Sequence, residues 1–432
     1  MIPDLVSRLR KSFAAGRTKP LSWRREQLGA LKRMLLEQED DFLAALHTDL
    51  AKNATEARRT ELMFIVNEVD DTLEHLDEWL APQPAGLPER LLPAEGRVVR
   101  EPLGVALIIG PWNYPLHLAL APLVGVLAAG NAAVVKPSEL SPTVSAAIAR
   151  HVPAYLDPEA VAVVEGAIPE TTELLEQHFD HIFYTGNGVV GRIVMTAAAK
   201  HLTPVALELG GKSPVIVDTD VDLQVVAQRI VDTKFMNAGQ TCVAPDYVLA
   251  IGDTAARLEP LLTEALQAKF GDDAASSPDY GRIVNTRHFD RLSHLLTSGR
   301  VVTGGQTDRD AKFIAPTVLA EVAPDAPVMG EEIFGPILPV LPVSSLDDAI
   351  AFITGRDKPL ALYAFTGSEE VKQRILTETS SGAVTFGMPV LHLVAPELPF
   401  GGVGESGMGR YHGKYSIDTF SNLKAVLDKP LS

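Results

Sequence analysis

From Gly104 onward, short apolar runs alternate with longer stretches at helical spacing. The runs are Val105–Ile109, Ala132–Val135, Val161–Val164 and His181–Tyr184, all rich in β-branched residues. A strand that is apolar along its whole length buries both faces, which is the pattern of a parallel sheet covered by helices on each side. The alternation predicts a Rossmann-like α/β domain. It resumes after Gly210 with Val215–Val217, Tyr247–Ile251, Leu360–Phe365 and Ala383–Phe386, which predicts a second α/β domain of similar size. Upstream, the first stretch reads as helix, with Leu21, Leu28, Leu31, Leu35, Leu36 and Phe42 to Leu46, then Leu62, Ile65, Val66, Val69, Leu73 and Leu76, in helical register. Pro82, Pro84, Pro88 and Pro93 then interrupt it. Up to about Arg100, this stretch is expected to be a linker or an excursion, not a central helix or strand.

Composition narrows the function classes. A chain of 432 residues that is 46% apolar has ample material for packed cores and is not a disordered polymer. Its formal charge of −17 argues against a nucleic-acid partner, because reading a phosphate backbone needs a cationic surface. A single Cys excludes an intrachain disulfide framework and a multi-cysteine metal cluster, so no metal is expected; it fits a reducing compartment. The first residues, Met1 to Lys11, lack the apolar segment of a secretory signal. The longest mostly apolar run, Leu116 to Ala129, is short of the roughly 20 residues that cross a bilayer. The expectation is a soluble cytoplasmic protein without a membrane partner.

Three blocks carry chemistry, each beside a predicted strand end, where open α/β sheets place their ligand crevice. They are Gly110-Pro111-Trp112-Asn113-Tyr114-Pro115, Leu207-Glu208-Leu209-Gly210-Gly211-Lys212-Ser213-Pro214 and Asn237-Ala238-Gly239-Gln240-Thr241-Cys242-Val243-Ala244-Pro245. A cysteine is ordinarily a small buried hydrophobe. Cys242, however, follows a Gly/polar loop able to expose sulfur and to aim backbone N–H groups at an oxyanion. Glu208 precedes two glycines, whose missing side chains leave room for a ligand or water. Together the blocks supply a thiol nucleophile, a carboxylate base and an amide donor. A thiolate attacking a carbonyl puts charge on oxygen, and each donor holding that charge is worth roughly 2.7–4 kcal/mol. The tetrahedral adduct carries a hydride that a nicotinamide accepts, and the thioester left behind needs a water activated by a carboxylate. Asn113 is the preferred amide donor, with Asn237 and Gln240 as alternatives. A free thiol is only a few per cent ionised at neutral pH, so either a lowered pKa or base-assisted deprotonation is required.

These blocks resemble those of the aldehyde dehydrogenase superfamily, and Asn-Ala-Gly-Gln-Thr-Cys-Val-Ala-Pro-Asp-Tyr is most similar to its class 3 branch. Supporting motifs are Lys136-Pro137-Ser138-Glu139, Glu331-Glu332-Ile333-Phe334-Gly335-Pro336, Pro399-Phe400-Gly401-Gly402-Val403-Gly404 and Tyr411-His412-Gly413-Lys414-Tyr415-Ser416. The resemblance runs from about residue 20 to 422. It implies oxidation of a small-molecule aldehyde to a carboxylic acid, with Cys242 as nucleophile, Asn113 as oxyanion amide and Glu208 as the base for deacylation. It further implies that Lys136 binds the adenosine ribose and that Glu332 and Phe334 position the nicotinamide ribose and ring. The competing readings are a CoA-acylating relative and a noncatalytic binding protein of the same shape. Retention of both Glu208 and Cys242 disfavours each.

A literal GxGxxG, Gly186-Asn187-Gly188-Val189-Val190-Gly191, follows the run His181–Tyr184. It is not in the first βα turn of the domain, so it is not read as a dinucleotide fingerprint. By the resemblance, Thr185, Gly186 and Gly191 lie near the cofactor, and Gly188 is incidental. Glu139, expected near the ribose, would repel a 2′-phosphate and favour NAD, with NADP possible. Tyr114, Met236, Phe400 and His412 are candidates for the aldehyde pocket. After Gly382-Ala383-Val384-Thr385 this chain has Phe386-Gly387 where the family usually continues to an Asn, so the pocket is expected to be reshaped there. The implied organisation is a dinucleotide-binding domain (1–82 and 104–207), a catalytic domain (208–390), and an oligomerisation element with a C-terminal segment (83–103 and 391–432). A homodimer is the class 3 expectation.

Overall fold

The apolar runs between Gly104 and Glu208 become strands whose alternate side chains fill two different cores. The computed structural model describes residues 1–431. Two strands, β1 (Gln83–Ala85) and β2 (Glu95–Pro102), precede the first main sheet. That sheet contains β3 (Val105–Ile109), β4 (Ala132–Lys136), β5 (Val161–Val163), β6 (His181–Thr185) and β7 (Val205–Glu208), all parallel, in the order β5-β4-β3-β6-β7. Val105, Leu107 and Ile109 face a core shared with Val6 and Leu9 of the first helix, Ile2–Ala14. Ala106 and Ile108 face the opposite core, shared with Leu28, Val69 and Leu120 of other helices. This is period-two alternation in a sheet with no wet face.

The second sheet draws on β8 (Pro214–Val217), β9 (Tyr247–Ile251) and β10 (Arg300–Thr303). After a small hairpin, β11 (Thr307–Asp308) with β12 (Phe313–Ile314), it adds β13 (Thr317–Ala320), β14 (Ile337–Val343), β15 (Ala361–Phe365) and β16 (Ala383–Phe386). Its order is β10-β13-β14-β9-β8-β15-β16, parallel except at β10. The strands expected at residues 105–109, 247–251 and 383–386 have those bounds. Strands β10, β13 and β14 were not anticipated. Strand β14 carries Pro339 and Pro342 in a sheet interior, where a missing N–H normally argues against a strand.

Two further strands end the chain, β17 (Gly407–Met408) and β18 (Ser421–Asp428). Strand β17 closes the edge of the first sheet antiparallel to β7, and β18 pairs along the whole of β2. The three-stranded sheet β1-β2-β18 therefore corrects one expectation: residues 95–100 do form a central strand. The last proline before it is Pro93, so every residue from Glu95 to Glu101 keeps its backbone donor. A second correction concerns 391–432. Only Ser421–Asp428 joins this small sheet, while Gly407–Met408 extends the first sheet and helix Gly413–Thr419 packs on helices Met63–Leu80 and His117–Ala129. Every residue of His117–Ala129 is buried, which is why that apolar run reads like a membrane segment in miniature. Among the described residues, no helix is long and apolar enough to cross a membrane.

Candidate active site

Parallel register brings the carboxyl ends of four neighbouring strands into line. Ile109 pairs with both Lys136 and Tyr184, and Thr185 pairs with Glu208. Lys136, the Asn113 turn, Thr185 and Glu208 thus share one edge of the first sheet. Strands β4 and β6 flank β3 on opposite sides there, the reversal of strand order at which such sheets bind ligands.

Cys242 lies in a loop with strained geometry. Helix Leu223–Lys234 is capped at its start by Asp222, whose carboxylate accepts from Gln224 and Val225. Beyond its end, Asn237, Ala238 and Gly239 all take positive φ, at 51°, 52° and 74°. A side chain at Gly239 would lie 2.2 Å from the Gly335 carbonyl oxygen, so glycine is required for both reasons. The turn is held by Glu56, which accepts the Asn237 N–H at 2.8 Å. Cys242 is half-buried, and its sulfur faces its own N–H and that of Val243. Burial pushes the thiol pKa up, and the nearby Glu332 and Glu208 carboxyls push it further. Of the two routes to a thiolate, these surroundings disfavour a lowered pKa.

An inventory of amide hydrogens separates the three candidate donors. Asn237 Nδ2 donates to the Asn113 carbonyl (2.8 Å) and the Gln240 carbonyl (3.2 Å). Gln240 Nε2 donates to the Asn237 and Arg282 carbonyls, each at 3.0 Å, and its Oε1 accepts the Val284 N–H. Both hydrogens of each amide are spent. Asn113 Nδ2 makes one bond, at 3.0 Å, to the carbonyl of Gln240, two residues before Cys242, which leaves one N–H uncommitted.

Glu208 is buried at 2% exposure, and neither carboxylate oxygen has a hydrogen-bond partner among the described residues. Desolvation raises its pKa well above the ordinary value, opposed only in part by Arg410. The expected space at Gly210 is filled: a Cβ there would lie 1.9 Å from Glu332 Oε2. The double glycine thus admits a second acid, whose pKa burial and Asp246 push up to about 8 while the Gly211 N–H opposes the shift. The segment bearing Glu332 is pinned by residues to which sequence reading gave no role. Lys212 Nζ pairs with Asp246 and donates to the Val328 (2.8 Å) and Glu331 (2.9 Å) carbonyls, and Asp246 Oδ1 accepts the Ile333 N–H. Arg291 donates to the Ile333 carbonyl at 2.6 Å. Phe334, at φ 51°, meets Trp112 edge-on at 5.3 Å.

Among the residues expected around a dinucleotide, one keeps a polar atom free to meet it. Thr185 is buried with its hydroxyl unpartnered among the described residues, and a Cβ at Gly186 would strike the Tyr184 hydroxyl at 2.2 Å. Gly191 lies in helix Gly188–Ala199 against Leu209, while Gly188 merely follows the Asn187 cap. Lys136 Nζ donates to the Pro137 carbonyl and pairs with the exposed Glu139 at 3.2 Å. Of the pocket candidates, Tyr114 hydrogen-bonds Thr241 at 2.8 Å, and Phe400 and His412 meet at 5.6 Å between ring centres. His412 also faces Glu68 at 3.4 Å, and Phe64 packs on both His412 and His117. Met236 stands apart, its sulfur 3.9 Å from Arg59 Nη2. Phe386 ends β16 with Lys372 5.8 Å from its ring centre. Lys52, Glu56 and Glu61 were also missed, because a lysine and two acids in a helical stretch carry no local sign of burial.

The family model described as "Aldehyde dehydrogenase family" matches residues 2–426. The chain belongs to the aldehyde dehydrogenase family. It is 51% identical over 426 residues to aldehyde dehydrogenase family 3 member A2 of Mus musculus, covering 99% of this chain and 88% of that protein. It is 48% identical over 430 residues to the dimeric NADP-preferring aldehyde dehydrogenase of Rattus norvegicus, covering 100% and 95%. The structure of the substrate-bound state of Staphylococcus aureus AldH superposes with a TM-score of 0.98 at 45% identity, covering 100% of this chain and 94% of that one. The activity is the NAD(P)-dependent oxidation of an aldehyde to a carboxylic acid.

A raised thiol makes a direct prediction. Alkylation of Cys242 by iodoacetamide in the ligand-free enzyme should quicken about tenfold per pH unit from pH 6 to pH 9, tracking the thiolate fraction. A rate that levels off near neutral pH, followed by mass spectrometry, would show the thiol to be already ionised.

Proposed function

We propose that Cys242 attacks the aldehyde carbonyl, that the free Asn113 N–H and the Cys242 backbone N–H hold the oxyanion, and that Glu208 activates the water that releases the acid. The observation that carries this reading is the uncommitted Asn113 hydrogen, the one left after the amides beside the nucleophile are accounted for. Glu208 supports it as a carboxylate with raised pKa and no structural partner, which suits a general base near neutral pH. Lys136, Glu139, Thr185, Gly186, Gly191, Glu332 and Phe334 would hold the dinucleotide. When bound, NAD(P)+ supplies the hydride acceptor. Tyr114, Phe400 and His412, with Phe64 and His117, form the side on which the substrate's remaining atoms rest.

Cofactor choice is less exclusive than Glu139 alone implies. Its charge is met by Lys136, so a 2′-phosphate would not face a bare carboxylate. Use of both NAD and NADP fits this pairing. An open edge supports an assembly of subunits: β18 is paired on one side only and exposes Leu423 and Leu427. A homodimer that covers this edge, in a reducing cytoplasmic setting where the Cys242 thiol stays free, is the quaternary state these features favour.

Three outcomes follow. Cys242→Ala should abolish NADH formation in stopped-flow absorbance, and substantial residual turnover would remove sulfur from the mechanism. Glu208→Gln should keep a rapid NADH burst while slowing the steady state by about 10²–10⁴-fold, the usual worth of a general base. Loss of the burst itself would contradict the assignment of Glu208 to deacylation. Leu423→Glu with Leu427→Glu should give a monomer by light scattering; an unchanged mass would place the interface elsewhere.

A further inference from the structure

The Asn113 turn and the Cys242 loop are both gripped from the N-terminal helical region. Lys52 is buried at 1% exposure, and its ammonium lies 3.8 Å from the centre of the Tyr114 ring. Lys52 donates to the Asn113 main-chain carbonyl at 2.8 Å and to Glu61, which is fully buried. The second oxygen of Glu61 accepts the N–H groups of Leu116 (3.1 Å) and His117 (2.9 Å), at the start of helix His117–Ala129. Glu61 itself lies in a π-helical turn, Arg58–Leu62, a distortion found mainly at functional sites. One turn earlier, Glu56 takes the Asn237 N–H, and Asn237 shares the Asn113 carbonyl with Lys52.

Burying a lysine and a glutamate is costly, and a pair of well-packed apolar residues would often be as stable. What this pair provides is direction. The two charges fix the carbonyl side of Asn113 and the first backbone donors after it, so the residue between them has one orientation. We propose that Lys52 and Glu61 are positioning residues that aim the Asn113 side-chain N–H at the carbonyl oxygen of the substrate. The inference rests on the reading of Asn113 as the oxyanion donor. Lys52 donates to the main-chain carbonyl of Asn113 and rests on the Tyr114 ring, and touches none of the reacting atoms itself. A displacement of about 1 Å of such a donor is enough to cost on the order of 10²-fold in rate.

The test is a double-mutant cycle on the NADH burst. Lys52→Met is made in the native and Asn113→Ala backgrounds, with burst rate, aldehyde KM, NAD+ dissociation constant and melting temperature measured for each. Lys52→Met should slow the burst about 10–100-fold while KM and NAD+ affinity stay within about twofold. In the Asn113→Ala background it should add no further loss, since the group it aims is gone. Losses that multiply would overturn the proposal, because a merely structural defect acts whether or not Asn113 is present. Glu61→Gln keeps the side-chain shape without the charge and carries the same cycle should Lys52→Met not fold. Lys52→Arg retains a donor for the Asn113 carbonyl and should recover most of the burst rate. Failure of the underlying reading is visible separately: an Asn113→Ala enzyme with a native burst removes the oxyanion role itself.

Discussion

A parallel sheet must end all its strands on one edge, and in this chain that requirement gathers the chemistry. The Asn113 turn, Lys136, Thr185 and Glu208 are far apart in sequence. They become neighbours because β3, β4, β6 and β7 run the same way in fixed register. A slip of one residue in β7 would turn Glu208 toward the opposite face and leave Leu207 or Leu209 at the strand end. The apolar alternation that buries Val105 and Ala106 in different cores therefore also sets the position of the base.

Within that frame, hydrogen bonding separates scaffold from chemistry. Buried polar groups are normally satisfied, and each exception needs a reason. Asn237, Gln240, Lys52, Glu61, Lys212 and Asp246 are tied to backbone or to each other, and all of them hold loops. Among the groups with unspent capacity are the second Asn113 N–H, the Glu208 carboxylate and the Thr185 hydroxyl. They lie at the strand ends where substrate and dinucleotide would arrive. Polar groups held unsatisfied in a dry site are strong partners for whatever enters.

Much of this was legible from residue types. Cys242, Glu208 and Asn113 announce themselves as a lone thiol in a glycine-rich loop, an acid before two glycines and an amide in a tight turn. The strands at 105–109, 247–251 and 383–386 follow from apolar runs alone. Strand β14 was hidden by Pro339 and Pro342, which weaken every local strand signal even though the sheet accommodates them. Lys52 and Glu61 were hidden for another reason. In sequence they are ordinary charges of a helical stretch, and Lys52 lies sixty-one residues from the carbonyl it holds. Burial of a charge is a tertiary event, and no spacing rule reports it. The room expected at Gly210 for a ligand or water is taken by Glu332, which arrives from a segment more than a hundred residues away.

Desolvation and neighbouring acids oppose ionisation of the Cys242 thiol. Cys242, Glu208 and Glu332 all have raised pKa values, chiefly from desolvation, and each acid makes ionisation of the sulfur harder. Burial and Asp246 push Glu332 up to about 8, and Lys212 and Lys234 oppose the shift. A second negative charge placed in this crevice costs more than the first, so ionisation of the sulfur and of the carboxylates oppose one another. The oxidised nicotinamide ring is cationic, and its charge favours the anionic form of every group around it. A cationic ring bound beside Cys242 would therefore work against the desolvation that holds the sulfur in its thiol form.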